Sequence, residues 1–525
     1  MNESDLEALP AGDPIDLLER PILSVADDRG VVAHLSLAGL LARIARGDDA
    51  ELALLMPHQQ HAMHAFVVQL MALVASRAPA RDVPKDEEGW RAALRAHGGC
   101  SEAFQLVVAD LGKPAFMQPP VPEGSLDKFK DVPTPDALDM LVLAKNHDVK
   151  MARIQRPRIE HWVFALISLQ TQQGFSGRDN YGVARMNGGF GNRPGFGVTP
   201  SLGWTPRVLR DLAVALRERD ALLSDARPYS ATGLGLVWLT PWDGTESLEM
   251  EALDPFFIEV CRRVRVLRVE RGLSVGMTST KVPRISSKEL LGNTGDLWTP
   301  VDVARGAALT LPSSGLHYAR MAQLLFDDDW VRPPALSVQA ADGSQPLVVA
   351  RALVRGQGKT EGLHERVILV PAASRGLFAR PDGREKLGVL SKGRIEAARA
   401  LRLKVLKPAV CALLQGGADD LRLDDDRGDW LLDDLDRLID QDFFPRLFAD
   451  VERDADDADV GYQQYLRTIG EATLERGIES LPTSASRRER AIAAAEARFA
   501  GGMRKNFPRA FEATSTPSHG EETQS

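Results

Sequence analysis

The chain has 525 residues, 44% hydrophobic and 26% charged, with a mean hydropathy of −0.18. Its length predicts two to four domains rather than one compact core, and its composition excludes collagen-like, wholly disordered and membrane-spanning chains. Sixty-four Lys and Arg against 73 Asp and Glu give a net charge of −9, which excludes a protein that simply coats nucleic acid.

The first twenty residues are polar and acidic, with no basic and apolar leader pattern, so no signal peptide is expected. Residues 21–47 predict strand, Asp-Asp-Arg-Gly turn, strand and helix, with apolar alternation on both sides of Gly30. From about 50 to 111 the pattern is helical, including the segment SEAFQLVVADLG. Within it, His58, His61 and His64 recur every three residues; a polar, partly exposed helix face explains them better than a metal site, because no HExxH motif accompanies them. Asn146-His147-Asp148 could supply a general base or a metal ligand, but no second cluster of nuclease spacing supports it. Residues 158–172 predict another apolar helix.

Between Gly174 and Gly197 there are eight glycines in 24 residues, interleaved with Phe175, Tyr181, Phe190 and Phe196. Glycine allows close backbone approach to a ligand. Arg178, Arg185 and Arg193, with Asn180, Asn187 and Asn192, supply donors suited to phosphates or groove edges, so this segment reads as a binding surface rather than a linker. Short strand-like runs follow: LGLVWLTP, VRVLRVE, SVQAAD, LVVARALV and ERVILVP. Gly356-Gln-Gly-Lys-Thr360 ends like a P-loop, but Leu353 stands where the first glycine belongs, and EGLHERVIL looks like a strand rather than the required helix. A tight hairpin tip displaying Gln357 and Lys359 fits better.

The fold class expected is α+β: a large mixed N-terminal domain over residues 1–372, then an antiparallel four-helix bundle over 384–511 and a disordered tail over 512–525. Three cysteines, Cys100, Cys261 and Cys411, lie far apart without CxxC spacing, which points to a reducing, cytoplasmic compartment and to neither disulfides nor zinc. Three basic islands stand out. Residues 145–158 hold five basic residues and one acid, 262–288 eight and one, and 375–407 ten and three, against eleven aspartates between Asp419 and Asp442. Three such islands beside a Gly/Arg/aromatic loop read as tracks for a phosphate backbone.

The order of these features carries a family resemblance: the strand–turn–strand opening, Lys113-Pro-Ala-Phe-Met-Gln118, Lys145-Asn-His-Asp-Val-Lys150, the TQQGFSGRDNYGVARMNGGFGNRPG stretch, Gly295-Asp-Leu-Trp-Thr-Pro300, GQGKTEG and a helical C-terminal quarter. Over residues 16 to 511 the chain resembles CasA, the large subunit of the type I-E CRISPR Cascade complex. The resemblance implies a non-catalytic subunit without cofactor or metal. It would check the PAM duplex from the minor groove, open the first base pairs, and recruit the helicase–nuclease once the R-loop forms. Its implied partners are the other Cascade subunits, the crRNA 5′ end, the double-stranded target, the displaced non-target strand and the helicase–nuclease, with no membrane. The glycine loop would be Gly174, Ser176 and Gly177 with Arg178 and Asn180. The lysine finger would be Lys288, with Lys281 and Arg284 behind it; the wedge would be Gln357, with Lys359 on an adjacent phosphate. Asn146, His147 and Lys150 would meet the crRNA, and Arg399 and Arg402 the displaced strand. The alternatives are a metal-dependent nuclease using His147, Asp148 and His161, and a scaffold without DNA contacts.

Overall fold

A computed structural model describes residues 13–139, 154, 156–224, 227–270, 272–356, 359–482 and 485–512, with Gly356 and residues 359–361 described by their backbone alone. The chain divides into two compact units, Met1–Leu316 with Asp328–Ile368, and His317–Asp327 with Leu369–Ser525.

The first unit opens as its sequence expects. Strands β1 (Leu23–Ala26) and β2 (Val32–Leu35) pair antiparallel around a turn in which Asp27 accepts from the amides of Arg29 and Val31 and Gly30 takes a left-handed φ of 75°. Ser36 then caps helix α1 (Leu37–Arg46) by accepting from Gly39 N, and Gly47 closes it in the left-handed conformation. Helices α2 (Gln60–Arg77) and α4 (Ile159–Gln172) form the centre of the core, with α3 (Glu87–Gly98) between them in sequence. Trp162 of α4 and, around the two helices, Trp90, Trp238 and Trp298 are all fully buried. The sheets are small. Strands β4 (Lys130–Val132), β7 (Arg263–Val269) and β8 (Gly272–Thr278) form one antiparallel sheet, with β8 central. Strands β5 (Gly195–Thr199), β9 (Leu347–Gly356) and β10 (Lys359–Leu369) form another, in the order β10-β9-β5. The chain is therefore mixed helix and strand, as an α+β class requires.

Two expectations fail here for the same reason, a tertiary partner that outcompetes the local pattern. Residues 101–111 make only a 3₁₀ turn (Ser101–Phe104) before extending, because Leu106 N donates to Ile15 O, Phe116 N donates to Gln105 O, and Arg265 takes the carbonyls of Val108 and Asp110. SVQAAD is no strand but ends in a 3₁₀ turn, Ala340–Asp342, whose Asp342 carboxylate accepts from Gln339 N and pairs with Arg210.

In the second unit the helical periodicity is realised as α8 (Pro381–Ala400), α9 (Lys407–Leu414), α10 (Asp429–Asp450), α11 (Ala455–Ser480) and α12 (Arg488–Asn506). Between α8 and α9 the helix widens into a π turn, Leu401–Leu406. Pro408 is the cause: it has no N–H for the carbonyl four residues back and its ring collides with it, so the ladder shifts to i→i−5. Helix α6 (Tyr318–Phe326), although flanked in sequence by the first unit, belongs with these helices, as does α7 (Ala372–Ala379). Its Phe326 meets Phe378 and Phe444, and its Tyr318 lies 4.8 Å from Phe443. Among the described residues no helix is long and apolar enough to cross a membrane.

Candidate nucleic-acid interface

The glycine-rich segment is built into a backbone ladder. Strand β5 pairs with β9 from Leu347↔Thr199 to Arg351↔Gly195. The chain preceding β5 continues this pairing, with Asn192 N donating to Leu353 O at 3.0 Å. On its other side Gly174 N donates to Gly191 O at 2.8 Å, Phe175 N to Gly189 O at 3.0 Å, and Arg193 N to Gln172 O at 2.8 Å. Residues 189–193 are thus sandwiched between β9 and the chain leaving α4. Their directions decide the geometry: β9 runs towards Gly356, 199 back to 189 runs the same way, and so does 174 to 175. The loop beyond Phe175 and the end of β9 at Gly356 therefore leave the same end of one ladder. With two strand spacings between them they stand about 10 Å apart.

Glycine is required at two rungs. A side chain on Gly191, at φ 95°, would place Cβ 2.5 Å from Leu353 O, and one on Gly174 would drive into the carbonyl oxygen of Gly189. The loop itself closes with Ser176 N donating to Asn180 O and Asn180 N to Gly177 O, with left-handed φ values of 97° at Gly177 and 63° at Asp179. Ser176 and Asn180 are half-buried, and Arg178 is exposed between them. Phe175 packs edge-on against Phe190 at 5.7 Å.

The segment after β8 braces the loop from one side. Thr280 N donates to Asp179 O, and the Tyr181 hydroxyl donates to Lys281 O at 3.0 Å, so the exposed Lys281 stands beside the loop. Lys288, also exposed, begins a 3₁₀ turn, and the following Gly292 packs against the backbone of Met186 and Asn187. Both lysines are carried by chain that touches the glycine-rich segment. From below, the buried guanidinium of Arg262 donates to the carbonyls of Tyr181, Cys261, Gly174 and Asn180.

Several sequence expectations need correction. Arg284 is buried, lies over the Trp242 ring and donates to the carbonyls of Pro241, Thr240 and Val237, so it is no groove-reading finger; burial pushes its pKa down to about 10. Arg185 is buried on Glu259 and Phe257, and Arg193 forms a two-pronged pair with Asp296 against Trp298. Neither can meet a phosphate in this arrangement. The 262–288 island is not a surface track: Arg262, Arg263, Arg265 and Arg284 are all buried. In the 375–407 island Arg394 is buried on Asp450, and Arg402 pairs with Asp433 and Asp436, whereas Arg399 is exposed.

The histidines are buried too, against the expectation of an exposed face: His61 and His64 because α2 is enclosed around its whole circumference, and His58 in the 3₁₀ turn Pro57–Gln59 that leads into it. His58 Nε2 lies 2.7 Å from Asp139 and His64 Nε2 2.8 Å from Asp211, while both ring nitrogens of His61 lack a partner. Burial and then Arg207 lower the pKa of His64 to about 4, and burial and Arg193 lower that of His61 well below its ordinary value. Burial alone would raise Asp211, but His64, Arg207 and Arg210 hold it down at about 2. His161 Nδ1 accepts from Arg158 N and caps α4. Among the described residues no three His, Cys, Asp or Glu side chains converge as a metal site. Asn146, His147, Asp148, Lys150 and Gln357 lie outside the described residues, as does the side chain of Lys359. Sequence reasoning counted Arg262 only as part of the 262–288 track and gave no role to Arg355 near the end of β9. Nothing in the local sequence separates them from the other arginines, because their meaning comes from the ladder.

Neither a family model nor a curated protein matches the sequence. Solved structures do match the fold. Thermus thermophilus CasA (Cse1) aligns with a TM-score of 0.61 at 16% identity, covering 93% of this chain and 99% of that one. Thermobifida fusca Cse1 aligns with a TM-score of 0.62 at 15% identity, covering 95% and 98%. A chain of a CRISPR RNA-guided surveillance complex aligns with a TM-score of 0.59 at 15% identity, covering 93% and 99%. The chain has the fold of these CasA/Cse1 structures along nearly its whole length.

Proposed function

We propose that this chain is the large subunit of a type I-E Cascade surveillance complex and that it reads the PAM of double-stranded DNA from the minor groove. The observation that carries the reading is the shared exit of the 174–180 loop and the β9–β10 strand ends from one ladder, flanked by the exposed Arg178, Lys281 and Lys288, on a CasA/Cse1 fold. A glycine-rich backbone can enter the minor groove, where the guanine amino group distinguishes G·C from A·T. Cations beside it neutralise phosphates on either side.

In this reading Gln357 wedges the first base pairs apart, at a cost of a few kcal/mol of unstacking per step, offset by contacts to the opened duplex, and Lys359 holds the adjacent phosphate. Asn146, His147 and Lys150 anchor the chain on the crRNA 5′ end, and Arg399 meets the displaced strand. Arg402 is spent on aspartates and Arg284 on carbonyls, so neither is assigned a DNA contact. The subunit is non-catalytic: it positions DNA, and the helicase–nuclease it recruits does the cutting. The test is duplex binding by the complex reconstituted with its crRNA, with the flanking bases varied. A scaffold subunit would leave affinity indifferent to the flank, and a nuclease would cleave with Mg²⁺ in a His147-dependent way.

A further inference from the structure

Arg355 is the last described side chain of β9, one residue before the strand ends at Gly356. Its residue is 4% exposed, yet Nε, Nη1 and Nη2 are all buried without a hydrogen-bond acceptor. Among the described residues it is the one side chain of the ladder whose whole guanidinium is buried without an acceptor, although Gln172, Gln173 and Arg351 each leave side-chain atoms without a hydrogen bond. The amide of Asn192 meets Leu353 O, that of Gly174 meets Gly191 O, and Arg262 donates through both Nη atoms to the carbonyls of Gly174, Asn180 and Tyr181 and to that of Cys261. Arg355 lies close enough to Arg262 to feel its charge. Burial, with Arg262 second, lowers its pKa to about 10, which leaves it a cation at neutral pH.

A buried cation facing a second cation with no acceptor opposes folding, and a Met or Leu of similar volume would pack there without that penalty. The arginine is explained if its acceptor arrives with a ligand. A guanidinium offers a planar fork of donors that matches phosphate oxygens in pairs, and a desolvated one binds more strongly than one in water. The end of the ladder it occupies is the end from which the glycine loop leaves, beside Lys281.

Resting on the function proposed above, we infer that Arg355 is a phosphate-binding residue for duplex DNA, held unpaired beneath the end of β9 until a phosphodiester seated between the glycine loop and that strand end takes its guanidinium. Arg262 fixes the loop and Arg355 fixes the DNA against it.

Arg355→Met in the reconstituted complex tests this. The isolated variant chain should melt at or above the wild-type temperature, since no hydrogen bond is lost, and should enter the complex normally. Duplex affinity should fall roughly tenfold, the scale of one lost charged hydrogen-bonding group. The slope of log affinity against log salt should shrink by about one. Arg355→Lys, which keeps the charge but loses the fork, should recover part of the affinity. Wild-type affinity and slope in Arg355→Met would overturn the inference. A lowered melting temperature would assign the arginine to the fold instead, and failure to enter the complex would place its acceptor on RNA or on another subunit; either overturns it. A wild-type complex with no duplex affinity removes the functional reading itself, an outcome distinct from a silent variant on a binding wild type.

Discussion

The two units differ in how far arginine serves the backbone. Both pair arginines with carboxylates, as Arg185 does with Glu259 and Arg219 with Asp254 in the first, but the first also holds buried arginines that meet carbonyls alone. In the first, buried arginines donate to backbone carbonyls: Arg265 to Val108, Asp110 and Lys113, Arg284 to Val237, Thr240 and Pro241, Arg262 to the glycine loop. In the second, the buried Arg394 meets Asp450, Asp459 and the carbonyl of Ala458, and the more exposed Arg402 and Arg476 pair with Asp433, Asp436 and Asp434. The difference follows from the backbone. Helices satisfy their own carbonyls except at the ends, so a helical unit leaves its arginines chiefly carboxylates and the carbonyls near helix ends and joins, as Arg384 finds at Phe378 and Ala379. Long irregular connections leave carbonyls buried and unmet, and a guanidinium with five donors can gather several of them. The cation count of a segment therefore says little about its surface potential until the backbone beneath is known.

The sharpest test of that contrast is Arg265→Met. It removes the guanidinium from the buried carbonyl of Val108 and the part-buried carbonyls of Asp110 and Lys113, and the first unit should lose about 2–3 kcal/mol. Seven of the eight tryptophans lie in that unit, Trp430 being the exception, so tryptophan fluorescence in urea reads this loss.

A smaller effect, specific to the same unit, comes from its buried histidines. His61 and His64 have lowered pKa values in the folded chain and titrate near 6.5 when unfolded. Below pH 6.5 the unfolded chain takes up protons that the folded chain refuses. Their contribution is therefore complete above 6.5 and is lost as pH falls towards about 4. Stability should drop by up to about 1.4 kcal/mol per pH unit for each ring between pH 6 and 5. His61→Asn should roughly halve that slope in urea titrations at pH 7, 6 and 5. An unchanged slope would mean that His61 is protonated in the fold. The smallest effect belongs to the helical unit: Arg402→Ala removes a partly exposed aspartate pair and should cost under about 1 kcal/mol by the same method. A loss matching that of Arg265→Met would erase the contrast.

Periodicity was sufficient for the helices. The i, i+3, i+4 pattern marks α10, α11 and α12, and the Asp-Asp-Arg-Gly turn and the glycine-flanked Gln357 mark their strand pairs, because each signal lies within a few residues. What stayed hidden depends on residues far apart. Helix α6 is nine residues long, and its place among the helices of the second unit rests on Phe378, Phe443 and Phe444. Segment 101–111 extends because Ile15 and Arg265 claim its backbone. At the interface, the sequence marks Gly174 and Arg178 as a cluster, but Arg185 and Arg193 look equally basic there and become buried through Glu259 and Asp296. The ladder that brings 174–180 to the end of β9 spans more than 160 residues, and no local pattern encodes it.

The central claim is that this ladder presents a duplex-reading face. The direct measurement is equilibrium binding of the reconstituted complex to duplexes with every flanking sequence, over a range of salt, for wild type and for Lys281→Ala/Lys288→Ala. The account predicts a clear preference for a subset of flanks in the wild type, and uniformly weaker binding in the variant, with a salt slope smaller by about two. Flank-independent binding with the same slope in both proteins would contradict it.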